Sequence, residues 1–255
     1  MTVSVRPGMG RQAFAEFLGT GLLVTVVIGS GVMAVRLSHD VGIQLLANSA
    51  ATAAALPVVI ALVGPVSGAH LNPVVSLVDW ILGRRARTGL TASQVAVYLP
   101  AQVAGGIAGT VLANLMFALP PITVSTHGRS APSLWLGEVV ATAGLVALIV
   151  TLARQGRPHL APPLIGAYIG AAYWFTSSTS FANPAVTVAR GFSDTFAGIA
   201  PASIPAFIAA QLLGAFFGAV IALALYRAPD HAEAPGLHDD GRDPAIVAPG
   251  RPLRH

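Results

Sequence analysis

Lysine is absent from this 255-residue chain, so its fourteen basic residues are all arginine. Cysteine is absent as well, which excludes a disulfide framework, a thiolate metal site and a cysteine nucleophile. Charge of either sign is scarce: 9% of the residues are charged, against about a quarter in an ordinary soluble domain. There is no Ser-His-Asp arrangement in a fitting context, no pair of acids at catalytic spacing and no phosphate-cradling glycine loop. No enzyme chemistry, cofactor or metal is therefore expected. With 54% hydrophobic residues, a chain this short cannot hide its apolar surface inside itself. The lipid bilayer is the solvent that this composition calls for.

What the chain does have is long uncharged runs. Residues 12–35 carry only Glu16, 130–153 carry only Glu138, and 41–78, 90–126, 158–189 and 195–226 carry no charge. A spanning helix needs roughly 20 mostly apolar residues. The runs 41–78 and 158–189 are too long for one span and too short for two, and each contains an Asn-Pro. The pattern predicts an all-α membrane protein with six transmembrane helices and two shorter apolar pieces. The first run is too long for a signal-peptide core and is expected to stay in the protein.

Arginine placement sets the orientation. With the N-terminus inside, only Arg36, Arg129 and Arg190 fall outside or at the outer mouth, and the other eleven are cytoplasmic. The sequence pI of about 10.3 thus reflects topology, and no nucleic-acid partner is needed. Residues 1–10 read as a cytoplasmic N-terminus, 11–227 as the membrane domain, and 228–255 as a disordered cytoplasmic tail rich in Pro, Gly, Asp, His and Arg. His231, His238 and His255 are too irregularly spaced to suggest a metal site.

The membrane domain is duplicated, with repeats at about 11–117 and 131–227. AEFLGTGLLVTVVIG around Glu16 matches LGEVVATAGLVALIV around Glu138. HLNPVVSLV around Asn72 matches FANPAVTVA around Asn183, and AQVAGGIAG around Gln102 matches AQLLGAFFG around Gln211. Three spans per copy is an odd number, so the second copy enters from the opposite side and the repeats are inverted. Each Gln is followed by Gly at +3 and +7, a spacing that lets helix backbones approach closely.

Pro73 and Pro184 suit the first turn of a helix, and Asn72 and Asn183 suit the cap before it. Pro73–Leu82 and Pro184–Phe192 are each about long enough for a half-span. Two re-entrant half-helices would then meet at the midplane with their N-termini facing, lined by Asn72, Pro73, Val74, Asn183, Pro184 and Ala185. Their dipoles repel cations at that point, and asparagine amides freed from capping would donate to a passing oxygen.

SGAHLNPVV and SFANPAVTVAR, with the two intramembrane glutamates and the AQ-x-x-G helices, resemble the aquaporin (major intrinsic protein) family over residues 11–226. The resemblance implies a passive channel for small uncharged solutes, a pore in every subunit, a homotetramer in the bilayer, and for this bacterial pattern the plasma membrane. It also implies that Glu16 and Glu138 hydrogen-bond the loops carrying the Asn-Pro turns, a role that the symmetry of the pair favours over the proton relay that intramembrane acids also serve. His70 resembles the family's loop histidine, in a packed, hydrogen-bonded role.

Counted from the two asparagines, the family's four outer constriction positions fall on Thr52, Ala171, Ser180 and Val186. Water-selective members have an aromatic, a His and an Arg there, and glycerol facilitators keep the Arg and add aromatics. With neither at the counted sites, a wide, uncharged filter is expected, suited to glycerol and to metalloid hydroxides such as arsenous acid. NPAVTVAR, with Val in place of Arg, is similar to a bacterial branch associated with arsenite passage. Arg190 lies one turn beyond Val186 and either leans into the mouth or pairs with Asp194. Asp79 is expected to pair with Arg84 or Arg85. An ordinary water-selective channel and an ion-coupled transporter remain as the other readings.

Overall fold

A computed structural model describes residues 7–84 and 87–226. The expected disordered tail at 228–255 lies outside the described residues, as do the first six residues and Arg85. The described residues form eight α-helices: α1 (Met9–Leu37), α2 (Val41–Ser67), α3 (Pro73–Gly83), α4 (Ala92–Met116), α5 (Pro132–Arg154), α6 (Ala161–Phe175), α7 (Pro184–Arg190) and α8 (Ile204–Leu225). The first four and the last four correspond as long, long, short, long, which is the duplicated order read from the sequence.

Five helices are long and apolar enough to cross a bilayer: α1, α2, α4, α5 and α8 with its preceding turn. The sixth span, α6, has fifteen residues, about 22 Å of helix. It is entered through a 3₁₀ turn at Pro158–Leu160 and ends at Phe175, leaving Thr176–Ala182 as an irregular loop. The half-helices differ slightly from expectation. α3 runs one residue further, to Gly83, and α7 stops at Arg190, where the chain turns back through Gly191.

Within each repeat the outer helices pack backbone to backbone, α1 on α4 and α5 on α8. A Cβ on Gly105 or Gly109 would collide with the carbonyls of Phe17 and Gly21 on α1. On Gly214 or Gly218 it would collide with those of Val139 and Ala143 on α5. Glycine is required at these four matched positions because lipid supplies no hydrophobic drive between helices, so contact must come from close approach. Across the repeats α2 packs against α6, and both half-helices insert between the layers. The apolar core centres on Val24, Val27, Ile28, Leu145, Ile169 and Val186.

Candidate functional site

Each half-helix starts as its sequence dictates. The Asn72 side-chain oxygen accepts from Val74 N at 3.1 Å, and that of Asn183 accepts from Ala185 N at 3.0 Å and Val186 N at 3.3 Å. A cap of this kind contributes about 1 kcal/mol. Neither amide is left wholly free. Asn72 Nδ2 donates to Ala182 O and Asn183 Nδ2 donates to Leu71 O, each at 2.7 Å. The two loops are latched to each other, and each Asn keeps one N–H for a passing oxygen. Pro73 and Pro184 stand at the first helical position and Val74 and Ala185 are buried, but none of these four lines the cavity between the caps, which corrects the expected pore centre to Asn72 and Asn183.

Backbone strain surrounds both caps. Ala69, Leu71, Thr179, Ser180 and Ala182 have φ of 48–63°, a region costing a non-glycine residue roughly 1–2 kcal/mol. Two fully buried glutamates hold the loops there. Glu16 accepts from His70 N at 3.0 Å, Leu71 N at 2.7 Å, Ser67 Oγ at 2.6 Å and Gln102 Nε2 at 2.7 Å. Glu138 accepts from Phe181 N at 2.8 Å, Ala182 N at 2.9 Å and Gln211 Nε2 at 2.6 Å. Gln102 also donates to Ser76 Oγ, and Gln211 to Thr187 Oγ1. Those hydroxyls, each four residues beyond its Asn, donate in turn to the carbonyls of Asn72 and Asn183. Neither glutamate lines the cavity, so loop support is the role this geometry gives them, not a proton relay.

One cavity of about 890 Å³ passes between the caps and is lined by Asn72 and Asn183. On the α3 side its wall includes His70, Asp79, Thr88 and Arg154. His70 Nε2 lies 3.5 Å from Asp79 Oδ2, and its ring packs edge-on to Tyr98. Asp79 does not pair with Arg84: it accepts from Leu90 N at 2.8 Å, while the Arg84 guanidinium lies over the Trp80 ring.

On the α7 side the wall includes Thr52, Ser180, Val186, Tyr173, Phe181 and Arg190. Ala171 is a correction. It is exposed on α6 and does not line the cavity, whereas Tyr173, two residues on, does. Between α6 and Asn183 the chain runs through the irregular Thr176–Ala182 loop, whose path does not carry the register of the half-helix back to α6. The helical spacing Ile165, Ile169, Tyr173 identifies the cavity face directly, and Ala171 is off it. Thr52 Oγ1 donates to Asn48 O at 2.9 Å, so the Tyr173 hydroxyl, 3.3 Å away, is placed to donate to Thr52. Its oxygen can then accept from a solute. Ser180 Oγ is buried with no partner.

Of the two placements open to Arg190, the structure has the one at the mouth: it lines the cavity and does not pair with Asp194, its Nε donates to Ala197 O, and its guanidinium carbon stands 3.3 Å from the centre of the Phe181 ring. Arg129 lies over the same ring at 5.1 Å, and its Nε donates to Gly198 O. Burial pulls the Arg129 guanidinium below its ordinary value, opposed by Glu138 and Tyr173. Asp194 instead accepts from Thr126 N at 2.8 Å, the main cause holding its carboxyl below the usual range. An aromatic and a cation therefore stand at this mouth after all, neither of them at a counted position. Phe181 carried no signal in the sequence.

The model of the major intrinsic protein family matches residues 4–182. The chain is 54% identical over 217 residues to the aquaglyceroporin AqpS of Rhizobium meliloti (strain 1021), covering 85% of this chain and 89% of that protein. It is 32% identical to a glycerol uptake facilitator protein of Pseudomonas aeruginosa, over 86% and 89% of the two chains. The X-ray structure of the aquaglyceroporin from Plasmodium falciparum superposes with a TM-score of 0.61 at 20% identity, covering 84% of this chain and 94% of that one, a likeness of fold. The latched Asn-Pro caps, the glutamate supports and these likenesses agree: the chain belongs to the major intrinsic protein family.

Proposed function

We propose that the chain is a passive channel for small neutral hydroxylated solutes, glycerol and metalloid hydroxides such as arsenous acid among them. The observation carrying this reading is the cavity of about 890 Å³ that runs between two mutually latched Asn-Pro caps. The α7-side mouth offers an acceptor on Tyr173 and an apolar wall at Val186. A polyhydroxylated molecule both donates and accepts, so it can exchange its water shell for these groups and the Asn N–H donors. The relatives named for glycerol and aquaglyceroporin function support the same solute class. Residence in a bacterial plasma membrane, as a homotetramer with both termini cytoplasmic, belongs to this reading, and native mass spectrometry would report the four-chain assembly.

The test is stopped-flow light scattering on proteoliposomes under sucrose, glycerol and arsenous acid gradients. The wild type should admit glycerol and arsenous acid quickly. Val186→Arg, which fills the apolar wall, should slow both by about tenfold, equivalent to roughly 1.4 kcal/mol on the barrier. A water-selective channel is the second reading, favoured by Tyr173 and Arg190 at the mouth. It predicts fast water flux with both solutes excluded before and after the substitution.

A further inference from the structure

We propose that Arg190 is the group that keeps cations out of this pore and thereby sets its preference for neutral solutes, although it stands one helical turn beyond the position nearest the Asn183 cap. The inference rests on the channel reading above. Val186 lines the cavity and is uncharged; Arg190 is the next residue on the same face of α7. It is 3% exposed, lines the cavity, and has no carboxylate within 4.0 Å among the described residues. The nearby acid Glu138 is committed to Phe181 N, Ala182 N and Gln211.

Two contacts fix the guanidinium: Nε on Ala197 O, and its carbon against the face of Phe181. Neither neutralises its charge. A buried cation without a counter-ion is costly, and its field acts on whatever enters the mouth. The other well-placed arginines differ. Arg36 is exposed over Phe117, Arg154 donates to Tyr226 O on the α3 side, and Arg129 does not line the cavity. At about 5 Å and an effective dielectric near 20, a unit charge excludes a monovalent cation on the order of a hundredfold.

The experiment uses proteoliposomes loaded with a sodium-sensitive dye, with glycerol entry followed in parallel by light scattering. Wild type should be sodium-tight and glycerol-permeable. Arg190→Gln should raise sodium entry about tenfold or more while still passing glycerol. Arg190→Lys keeps the charge but loses the planar packing, and should remain sodium-tight. If Arg190→Gln stays sodium-tight while passing glycerol, or if the Lys and Gln variants leak alike, Arg190 only supports the loop and the proposal is overturned. Should Arg190→Gln fail to assemble, Arg190→Met keeps length and contact with Phe181 without the charge, and is read the same way. A wild type that passes neither glycerol nor water would instead sink the channel reading itself.

Discussion

A buried carboxylate facing only donors is the residue-scale device that makes this pore. Glu16 and Glu138 each take two successive backbone N–H groups, the second of each pair (Leu71, Ala182) from a residue in the left-handed conformation. A glutamine could not satisfy them, because an amide offers one oxygen and turns its N–H₂ toward the second donor. Glu16→Gln and Glu138→Gln should each lower stability by about 3 kcal/mol, read as a lower midpoint of thermal unfolding in detergent. Equal loss from the two substitutions is the expected signature of the repeat. Tyr173→Phe removes the hydroxyl bridged to Thr52 and should slow glycerol several-fold while sparing water flux.

Among the elements, the half-helices were legible and α6 was not. Asn-Pro, its capping oxygen and the hydroxyl four residues on are local features, duplicated at matching places, so short-range chemistry was enough to place them. The face of α6 was obscured because its register was counted from Asn183 across a loop of unknown path. Ala171→Trp checks the difference. On the exposed face it should leave glycerol flux unchanged, whereas a tryptophan in the filter would block it. The conformation of Arg190 could not be read from its neighbours in sequence, because Phe181 and Ala197 decide it, and Asp194, its i+4 neighbour, is drawn off by Thr126. With a lowered carboxyl, the Asp194 clasp is fully present above the ordinary carboxylate range and is lost only as pH falls below it. Between pH 7.5 and 5, solute flux should show no step arising from this clasp.

For the whole molecule, the two repeats are joined at their centres as well as through their faces. Asn72 reaches into the second loop and Asn183 into the first, so rocking one repeat against the other would break both links at once. Alternating access is thereby disfavoured, and uptake should rise linearly with the glycerol gradient and ignore a collapsed proton gradient. Saturation with proton dependence would point to a transporter instead. The lack of cysteine carries its own expectation: mercuric ions, which block proteins by capturing thiolates, should leave this flux untouched.

The loops at the caps also invert the usual relation between irregular backbone and mobility. Loops ordinarily open easily, and their amides trade protons with water in seconds or faster. Here His70, Leu71, Phe181 and Ala182 border the cavity, yet each of their N–H groups is held by a glutamate with no exposure of its own. Deuterium should therefore enter these four amides as slowly as it enters the middle of α1 or α5, making the least regular backbone in the membrane one of its slowest clocks.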